Sequence, residues 1–336
     1  MPFLRRLIFV LLNACMIVIG SEMLFWARPL DSLTWPGIIL TIIVYSWIVA
    51  LFLATITYFR VSSFATLFLA GALFGWLDEG VLVQTLYAQL PISIAYTGLA
   101  WHALLVICAL WFGLQQRLLS RAPWRLVRWG LVMGVGWGLW AVTWWTEPGL
   151  APTSIATFAT YAFATISLFG GAAWLASRIA PRPFAPSRIE IILLIGAIVI
   201  FFAVVTLPSA PLAIVILPLL LAPIFVALRR HRDMATQPDI LTRMAAAGPI
   251  PVRHLPILWL IPLAATLVYA SFSVAHLVVP TSIFFLVITA PLGFGLYIWS
   301  LVRVMMTHPP RTALAIAADD RKPDEPTEFI AAQAQS

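Results

Sequence analysis

The chain has 336 residues, of which 62% are hydrophobic and only 10% are charged, and its mean hydropathy is +0.99. A soluble domain with so few charged residues could not cover its surface, whereas runs of about 18 or more apolar residues are typical of helices that span a bilayer. The net charge of +7 does not indicate a nucleic-acid partner, because the arginines fall in short connectors between the apolar runs, where the cytoplasmic preference of basic residues explains them.

The first apolar run follows a basic start, Arg5 and Arg6, as in a secretory signal peptide. The run is longer than the apolar region of a typical signal, and no small-x-small cleavage site precedes Glu22. We therefore expect this segment to stay in the protein as its first transmembrane helix.

Ten apolar runs are long enough to be transmembrane helices. They cover about 4–26, 36–58, 61–79, 96–116, 126–146, 154–176, 190–207, 211–228, 256–278 and 281–304. Of the 20 basic residues, all but Arg28 fall on one side of this arrangement, so the positive-inside rule places that side, with both termini, in the cytoplasm. The sequence thus predicts an all-α, polytopic integral membrane helix bundle of about ten transmembrane helices in the cytoplasmic membrane of a bacterium.

The segment 190–228 leaves two topologies open. It is bounded by Arg188 and Arg229, which both belong to the basic side, so an even number of crossings separates them. The turn LPSAP at 207–211 favours a helical hairpin of two short spans. A re-entrant pair that does not cross would give the same orientation.

Two cytoplasmic segments are predicted outside the spans. Residues 1–310 form the predicted transmembrane domain, and 311–336 form a disordered tail, because they are polar and contain several prolines. The longest connector, 229–254, mixes basic residues with Ile240 and Leu241. We expect it either to lie along the membrane surface or to be an ordinary solvated loop.

The ionisable residues of the spans lie towards the side opposite the arginines. Glu22, Asp78 and Glu79 are at the outer ends of spans, and His102 lies about two turns into the fourth span. A charge at the centre of a transmembrane helix costs about 2.5–3.5 kcal/mol on the insertion scale, so each such group is a candidate functional residue. We expect them to gather around one outward-facing polar cavity.

Each candidate also has a simpler interpretation. Glu22 is about one turn from the membrane boundary, and it either reaches water or faces a cavity. Asp78 and Glu79 point about 100° apart on an α-helix, so we expect Glu79 to face inward and Asp78 to face solvent. His102 is either hydrogen-bonded across helices, a proton relay or a metal ligand.

No metal or cofactor site is predicted. The sequence has no HxxxH, HxxE or HExxH ligand spacing, no GxxxxGK[ST] or GxGxxG nucleotide fingerprint and no GxSxG catalytic elbow. Any energy coupling would then come from an ion gradient or from a separate subunit.

The segment 80–97 is too apolar for an exposed loop and leaves no room for another crossing. Tyr87 is one of its polar residues, together with Gln84, Ser93 and Tyr96. Irregular backbone at membrane depth is tolerated only where protein or water satisfies its polar groups. We therefore expect the segment to lie at the outer interface or to fold back over the bundle as a lid, with Tyr87 at the polar cavity.

The fifth span carries two stripes, one of glycine residues and one of tryptophan residues. Gly130, Gly134 and Gly138 recur every four residues, which lets another helix approach closely and makes them a candidate docking face for an oligomer or a partner subunit. Trp137 and Trp140 lie on a second face, as interface anchors and packing or as an aromatic wall for a ligand. Because the third span also contains a small residue, Gly71, we expect the third span to pack against the glycine stripe of the fifth.

Three functions fit these observations. The first is a transporter or permease whose outward-facing polar vestibule uses Glu79, His102 and Glu22 to bind a substrate or a proton. The second is a membrane enzyme that acts on a lipid-borne substrate at the outer face, with the same residues as its acid and base. The third is an assembly or partner subunit. The expected partners are membrane lipids and a small or lipid-like substrate.

Overall fold

The computed structural model describes residues 3–29, 34–180 and 184–307, and in these residues all regular secondary structure is helical. Within them, ten helices are long and apolar enough to cross a membrane, which confirms the predicted all-α polytopic bundle. The predicted tail, 311–336, lies outside the described residues. Spans 1 to 10 are Phe3–Trp26, Pro36–Tyr58, Phe64–Leu82, Ile94–Leu118, Pro123–Thr146, Ile155–Ile179, Arg188–Ser209, Ala213–Met234, Val252–Val274 and Thr281–Met305.

Several spans begin at a serine or threonine that caps the helix. The hydroxyls of Thr34, Ser63, Ser154 and Ser187 each accept a hydrogen bond from the backbone N–H three residues later. Such caps satisfy N–H groups that have no partner inside the helix. They explain why span 3 begins at Phe64, a few residues later than hydropathy alone predicts.

Contacts among the connectors show that the spans alternate in direction. At the arginine-rich end, Arg6 forms an ion pair of 2.5 Å with Glu190 at the start of span 7. At the same end, Arg243 donates a hydrogen bond of 2.5 Å to the carbonyl oxygen of Ser62, which joins the connector before span 9 to the connector before span 3. We call this end of the bundle the basic end.

The opposite end of the bundle, which we call the acidic end, is joined in the same way. The Thr206 hydroxyl donates to the carbonyl oxygen of Val81 at 3.1 Å, and the Ser209 hydroxyl donates to the side-chain oxygen of Gln84 at 2.6 Å. Span 7 therefore runs from Glu190 at the basic end to Ser209 at the acidic end. The segment 190–228 thus forms the crossing hairpin and not the re-entrant pair.

The long connector contains a short helix, Ile240–Ala246, that packs under the bundle. Ile240 and Leu241 are buried, and the Ile240 N–H donates to the carbonyl oxygen of Val61 at 2.9 Å. This part of the connector is therefore not a solvated loop, because its apolar residues find partners in the protein itself.

Span 3 is the most buried helix of the bundle, and it lies closest to span 4. A Cβ atom on Gly75 would lie 2.3 Å from the carbonyl oxygen of Gly98, and one on Gly71 would lie 3.1 Å from the Cα of Ala103. The expected pairing of span 3 with span 5 is wrong, because the glycines of span 3 are matched by small residues on span 4.

The glycine stripe of span 5 packs against span 9 of the same chain. A Cβ atom on Gly134 would lie 2.4 Å from the carbonyl oxygen of Ile261, and one on Gly138 would lie 2.6 Å from that of Ala265. Gly130 faces the side chain of Ile261 at 3.6 Å. These contacts occupy the surface on which the sequence predicts a partner to dock.

The span 5 packing makes a matched pair of substitutions informative. Gly134→Ala should lower the free energy of unfolding by about 1–3 kcal/mol, because the new methyl group meets backbone that cannot move aside. Gly136→Ala, two residues away, meets nothing within 4 Å and should be neutral or stabilising. Thermal unfolding of both variants in one detergent checks this, and equal destabilisation of the two would contradict the packing.

Candidate functional site

Four predicted site residues converge at the acidic end of the bundle. The His102 Nε2 atom lies 2.8 Å from a carboxylate oxygen of Glu79 and 3.6 Å from one of Asp78. Asp78 is 0%, His102 3% and Glu79 6% exposed. Spans 3 and 4 thus bring one imidazole and two carboxyl groups together, away from solvent. We call these residues, with Glu22 and Tyr45, the acidic cluster.

Span 1 contributes to the other side of the imidazole. The Ser21 hydroxyl lies 3.2 Å from the His102 Nδ1 atom. A neutral ring with its proton on Nε2 donates to Glu79 and accepts from Ser21, whereas a charged ring donates in both directions. His102 is therefore placed to hold a proton between span 1 and span 3.

Glu22 enters the cluster through Tyr45. The Tyr45 hydroxyl donates a hydrogen bond to the Glu22 carboxylate, and Asp78 interacts electrostatically with both of these side chains. Glu22 is half-buried, so it faces the protein and does not simply extend into water. Sequence reasoning missed Tyr45, because a single tyrosine in the interior of an apolar span has the same pattern as a packing residue.

The backbone that carries the cluster residues of spans 1, 3 and 4 is wound as π-helix, whereas Tyr45 lies in the α-helix of span 2. Ile19–Met23 holds Ser21 and Glu22, Asp78–Leu82 holds the adjacent carboxylates, and His102 lies in Ile94–Leu114. A π-turn has more residues than an α-turn, so neighbouring side chains diverge less, and such turns recur at functional sites. The expectation that Asp78 faces solvent is wrong mainly because span 3 is surrounded by other helices, so that no face of it is open to solvent.

Close contact between spans 3 and 4 sets the position of His102. A Cβ atom on Gly75 would lie 2.8 Å from the His102 Cβ as well as touching the Gly98 carbonyl. Any larger side chain at Gly75 would push the two helices apart one turn below Glu79. The glycine thus serves the cluster by permitting close approach.

Glu79 also connects the cluster to the surface. Its second carboxylate oxygen accepts a hydrogen bond from the hydroxyl of Thr85, which is exposed. Thr85 belongs to the segment 83–93 that follows span 3, and this segment lies over Glu79. The cluster is therefore enclosed beneath this segment, for which the sequence predicts a lid as one of two positions, and one hydroxyl separates the cluster from the exterior.

Tyr87 holds this covering segment in place and does not join the cluster. Its hydroxyl donates to the carbonyl oxygen of Gly80 at 2.9 Å. Burial raises the pKa of Tyr87 to about 12, so the phenol stays protonated and remains a donor at neutral pH. The Ser93 hydroxyl adds a second bond, of 2.6 Å, to the carbonyl oxygen of Leu86.

The tryptophans of span 5 cap the end of span 1. The indole N–H of Trp137 donates to the carbonyl oxygen of Leu24 at 3.0 Å, and that of Trp140 donates to Phe25 at 2.5 Å. The Tyr161 hydroxyl donates to Met23 at 2.9 Å. The last carbonyl groups of a helix have no partner within it, and lipid offers none. Trp137 and Trp140 therefore fix the helix end that carries Glu22 and do not line the acidic cluster.

Apolar residues separate the cluster from the basic end. Ile17, Leu73 and Ile107 are fully or almost fully buried. The next polar pair beyond this layer is Asn13 with Trp111, whose indole donates to the Asn13 side chain at 2.8 Å. Asn13 lies eight residues from Ser21, about 12 Å along a helix. Along the described parts of spans 1, 3 and 4, hydrocarbon side chains thus separate the acidic cluster from the polar pair towards the basic end.

The arrangement of the cluster is suited to binding protons. Both carboxylate oxygens of Asp78 are buried, and apart from the interaction with Tyr45 neither makes a hydrogen bond of good geometry. Buried ions cost several kcal/mol each unless they are paired, and a single imidazolium cannot neutralise three carboxylates, so the cluster must hold protons. No group of three or more His, Cys, Asp or Glu side chains in the described ranges is arranged to hold a metal ion.

Comparisons with known proteins add no assignment: no family model, no curated protein and no solved structure matches the chain.

Replacing His102 should make stability depend on pH. His102→Ala leaves the buried carboxyl groups without their cationic partner, which costs about 3–5 kcal/mol. The folded variant must keep these groups protonated and so binds more protons than the unfolded chain, and its stability should fall as pH rises. Apparent melting temperatures from about pH 5 to pH 8 in one detergent measure this. They should decrease with rising pH, because carboxyl groups that are protonated only in the folded state lose protons on unfolding.

A second buried histidine provides the control. His254 lies at the basic end and bonds the backbone carbonyl of Leu118 at 2.8 Å. His254→Ala should lower the melting temperature without the steep fall towards high pH. The same pH slope in both variants would mean that His102 has no special relation to Asp78 and Glu79.

Proposed function

We propose that the chain is a proton-coupled transporter or permease in which the acidic cluster binds the coupling proton. The observation that carries this proposal is the enclosed His102 side chain, shared between Glu79 at 2.8 Å and Asp78 at 3.6 Å. Ionisable residues inside a membrane are expensive, and chains of Asp, Glu and His are typical of proton relays in transporters.

The hydrogen bonds of the cluster provide steps for such a relay. Thr85 is exposed and bonds Glu79, Glu79 bonds His102, and His102 contacts Ser21 on span 1. A proton that enters beside Thr85 thus reaches span 1 by changing partners over short distances. Because the cluster connects spans 1, 2, 3 and 4, a change in its charge alters the contacts among all four helices.

The direction of the relay follows from the arginines. We place the basic end in the cytoplasm by the positive-inside rule, in the cytoplasmic membrane of a bacterium. The acidic cluster then faces the exterior, where it would receive protons from outside. The substrate class that fits a transporter of this kind is a small solute.

A membrane enzyme is the second candidate, and the apolar layer favours it. The layer around Ile17, Leu73 and Ile107 interrupts the polar path, which suits chemistry at one face better than passage through the bundle. In this case Glu79 and His102 would serve as acid and base for a lipid-borne substrate at the outer face. A partner subunit has less support, because span 9 occupies the glycine stripe.

Proton entry into proteoliposomes tests the transporter. The vesicles enclose a pH-sensitive dye, and solute classes such as sugars, amino acids and organic cations are added outside in turn. At least one class should acidify the lumen, and Glu79→Gln and His102→Gln should each abolish the signal because the relay is broken. Thr289→Val is the control, since Thr289 bonds only the Phe285 carbonyl of its own helix, and it should transport normally.

Two outcomes would decide against this function. Solute-dependent proton entry that persists in Glu79→Gln would remove the cluster from the mechanism. Conversion of an added lipid that needs Glu79 and His102, with no solute-driven proton flux, would establish the enzyme instead.

A further inference from the structure

A second candidate site lies at the basic end, between the end of span 4 and the start of span 5. It is a cavity of about 660 Å³, and ligand sites in proteins typically have volumes of about 300–1,000 Å³. Arg117 lines it from span 4, Arg125 and Arg128 line it from span 5, and Ala247 completes the wall from the connector before span 9. The acidic cluster is at the opposite end of the bundle, so this cavity is separate from it.

The positive-inside rule does not by itself account for this cavity. The rule explains why arginines are frequent in the connector between spans 4 and 5, but not why three of them face one cavity. Arg121 lies in the same connector and does not line the cavity. The cavity lining contains no Asp or Glu, and none of its arginines forms an ion pair with a carboxylate of the described residues. The described wall thus has three positive charges and no counter-charge.

Two tryptophans hold the arginine side chains at the cavity. The guanidinium carbon of Arg117 lies 4.4 Å from the centre of the Trp129 ring. Those of Arg125 and Arg128 lie 5.7 and 5.4 Å from the centre of the Trp124 ring. The face of an aromatic ring attracts a guanidinium group but accepts none of the strong hydrogen bonds that its five N–H groups can donate. These donors remain available to an anion in the cavity.

The cavity lies at the depth of the lipid head groups. Trp124, in the first turn of span 5, is 54% exposed, as is typical of tryptophans at the membrane interface. Further along span 5, Val132 lines the cavity and is 68% exposed, so it faces lipid. Arg125 and Val132 are seven residues apart, about 10 Å along a helix, and the head-group layer of one leaflet is about 5–8 Å thick. The cavity therefore extends from the head groups to the first part of the acyl chains.

The chemistry of the wall favours a phosphate group with a net negative charge. Guanidinium groups bind phosphate oxygens through pairs of N–H donors. A zwitterionic head group would also bring an ammonium group, which would meet three like charges and no carboxylate. Gln116 and Ser120, two polar residues of the same wall, can form hydrogen bonds with the hydroxyl groups of a glycerol head group.

We propose that this cavity binds the head group of an anionic phospholipid, such as phosphatidylglycerol, from the leaflet at the basic end. Arg117, Arg125 and Arg128 surround its phosphate, and Val132 lies beside its acyl chains. Basic pockets between transmembrane helices on the cytoplasmic side bind anionic head groups in other proteins. The site is independent of the proposed proton relay, and its test involves no transport.

Native mass spectrometry of the full-length protein in a non-ionic detergent tests the site, because it resolves the binding of single lipid molecules. Phosphatidylglycerol and phosphatidylcholine of equal chain length are titrated separately. The wild type should bind the first phosphatidylglycerol about tenfold or more tightly than the first phosphatidylcholine. Arg125→Gln and Arg128→Gln should each weaken phosphatidylglycerol binding about fivefold, the factor for one arginine beside an anionic lipid. The variant with all three arginines replaced should bind the two lipids equally.

Arg121→Gln is the matched control. It removes the same charge from the same connector but not from the cavity wall, so phosphatidylglycerol binding should stay within about twofold of the wild type. Melting temperatures without added lipid show whether the variants are folded. Arg125 and Arg128 are exposed, so the double variant Arg125→Gln/Arg128→Gln should melt as the wild type does. This variant decides the test if Arg117→Gln proves unstable.

Three results would overturn the proposal. Equal affinity of the wild type for the two lipids would mean that the cavity does not select an anionic head group. An equal loss of binding in Arg121→Gln and Arg125→Gln would indicate general attraction to the basic end and no site. Displacement of phosphatidylglycerol by an equal concentration of inorganic phosphate would show that the cavity binds a soluble anion and not a lipid.

Discussion

The close approach of spans 3 and 4 at Gly75 and Gly98 is the contact on which the acidic cluster depends. Without side chains at these positions, the two backbones meet, and His102 comes within hydrogen-bond distance of Glu79. Separate helices could not carry these groups cheaply into lipid, because each charged or polar group would lack a partner. The contact therefore makes the burial of the ionisable residues possible.

Lipid imposes the second constraint, because it cannot satisfy backbone groups. Span 1 ends inside the protein, and its last carbonyl groups accept from Trp137, Trp140 and Tyr161. These bonds hold the end of the helix, so Glu22 is presented to Tyr45 from a fixed position. Trp137 and Trp140, for which interface anchoring is one interpretation of the sequence, thus help to position the cluster.

The sequence predicts the spans and the side on which the polar residues gather, because hydropathy and helix caps act locally. It does not predict which helices meet. A glycine stripe indicates a close approach, yet nothing in Gly134 or Gly75 identifies span 9 or span 4 as the partner. The burial of Asp78 depends on the helices that surround span 3 and the role of Tyr45 on a contact across helices, and neither leaves a pattern in the sequence.

The acidic cluster shares one short segment of the chain with an apolar cavity that is lined by spans 1, 4, 5 and 10. The π-turn Ile19–Met23 contributes Ser21 and Glu22 to the cluster, while Gly20, with Leu24 just beyond the turn, lines the cavity. A Cβ atom on Gly20 would lie 2.8 Å from Leu110 and 2.9 Å from Val106, so the turn packs tightly against span 4 beside the cavity. The residues that carry the Ser21 and Glu22 side chains of the cluster and the residue that faces the cavity are therefore held by the same tight contact between spans 1 and 4, so a substitution at Gly20 would disturb both places at once.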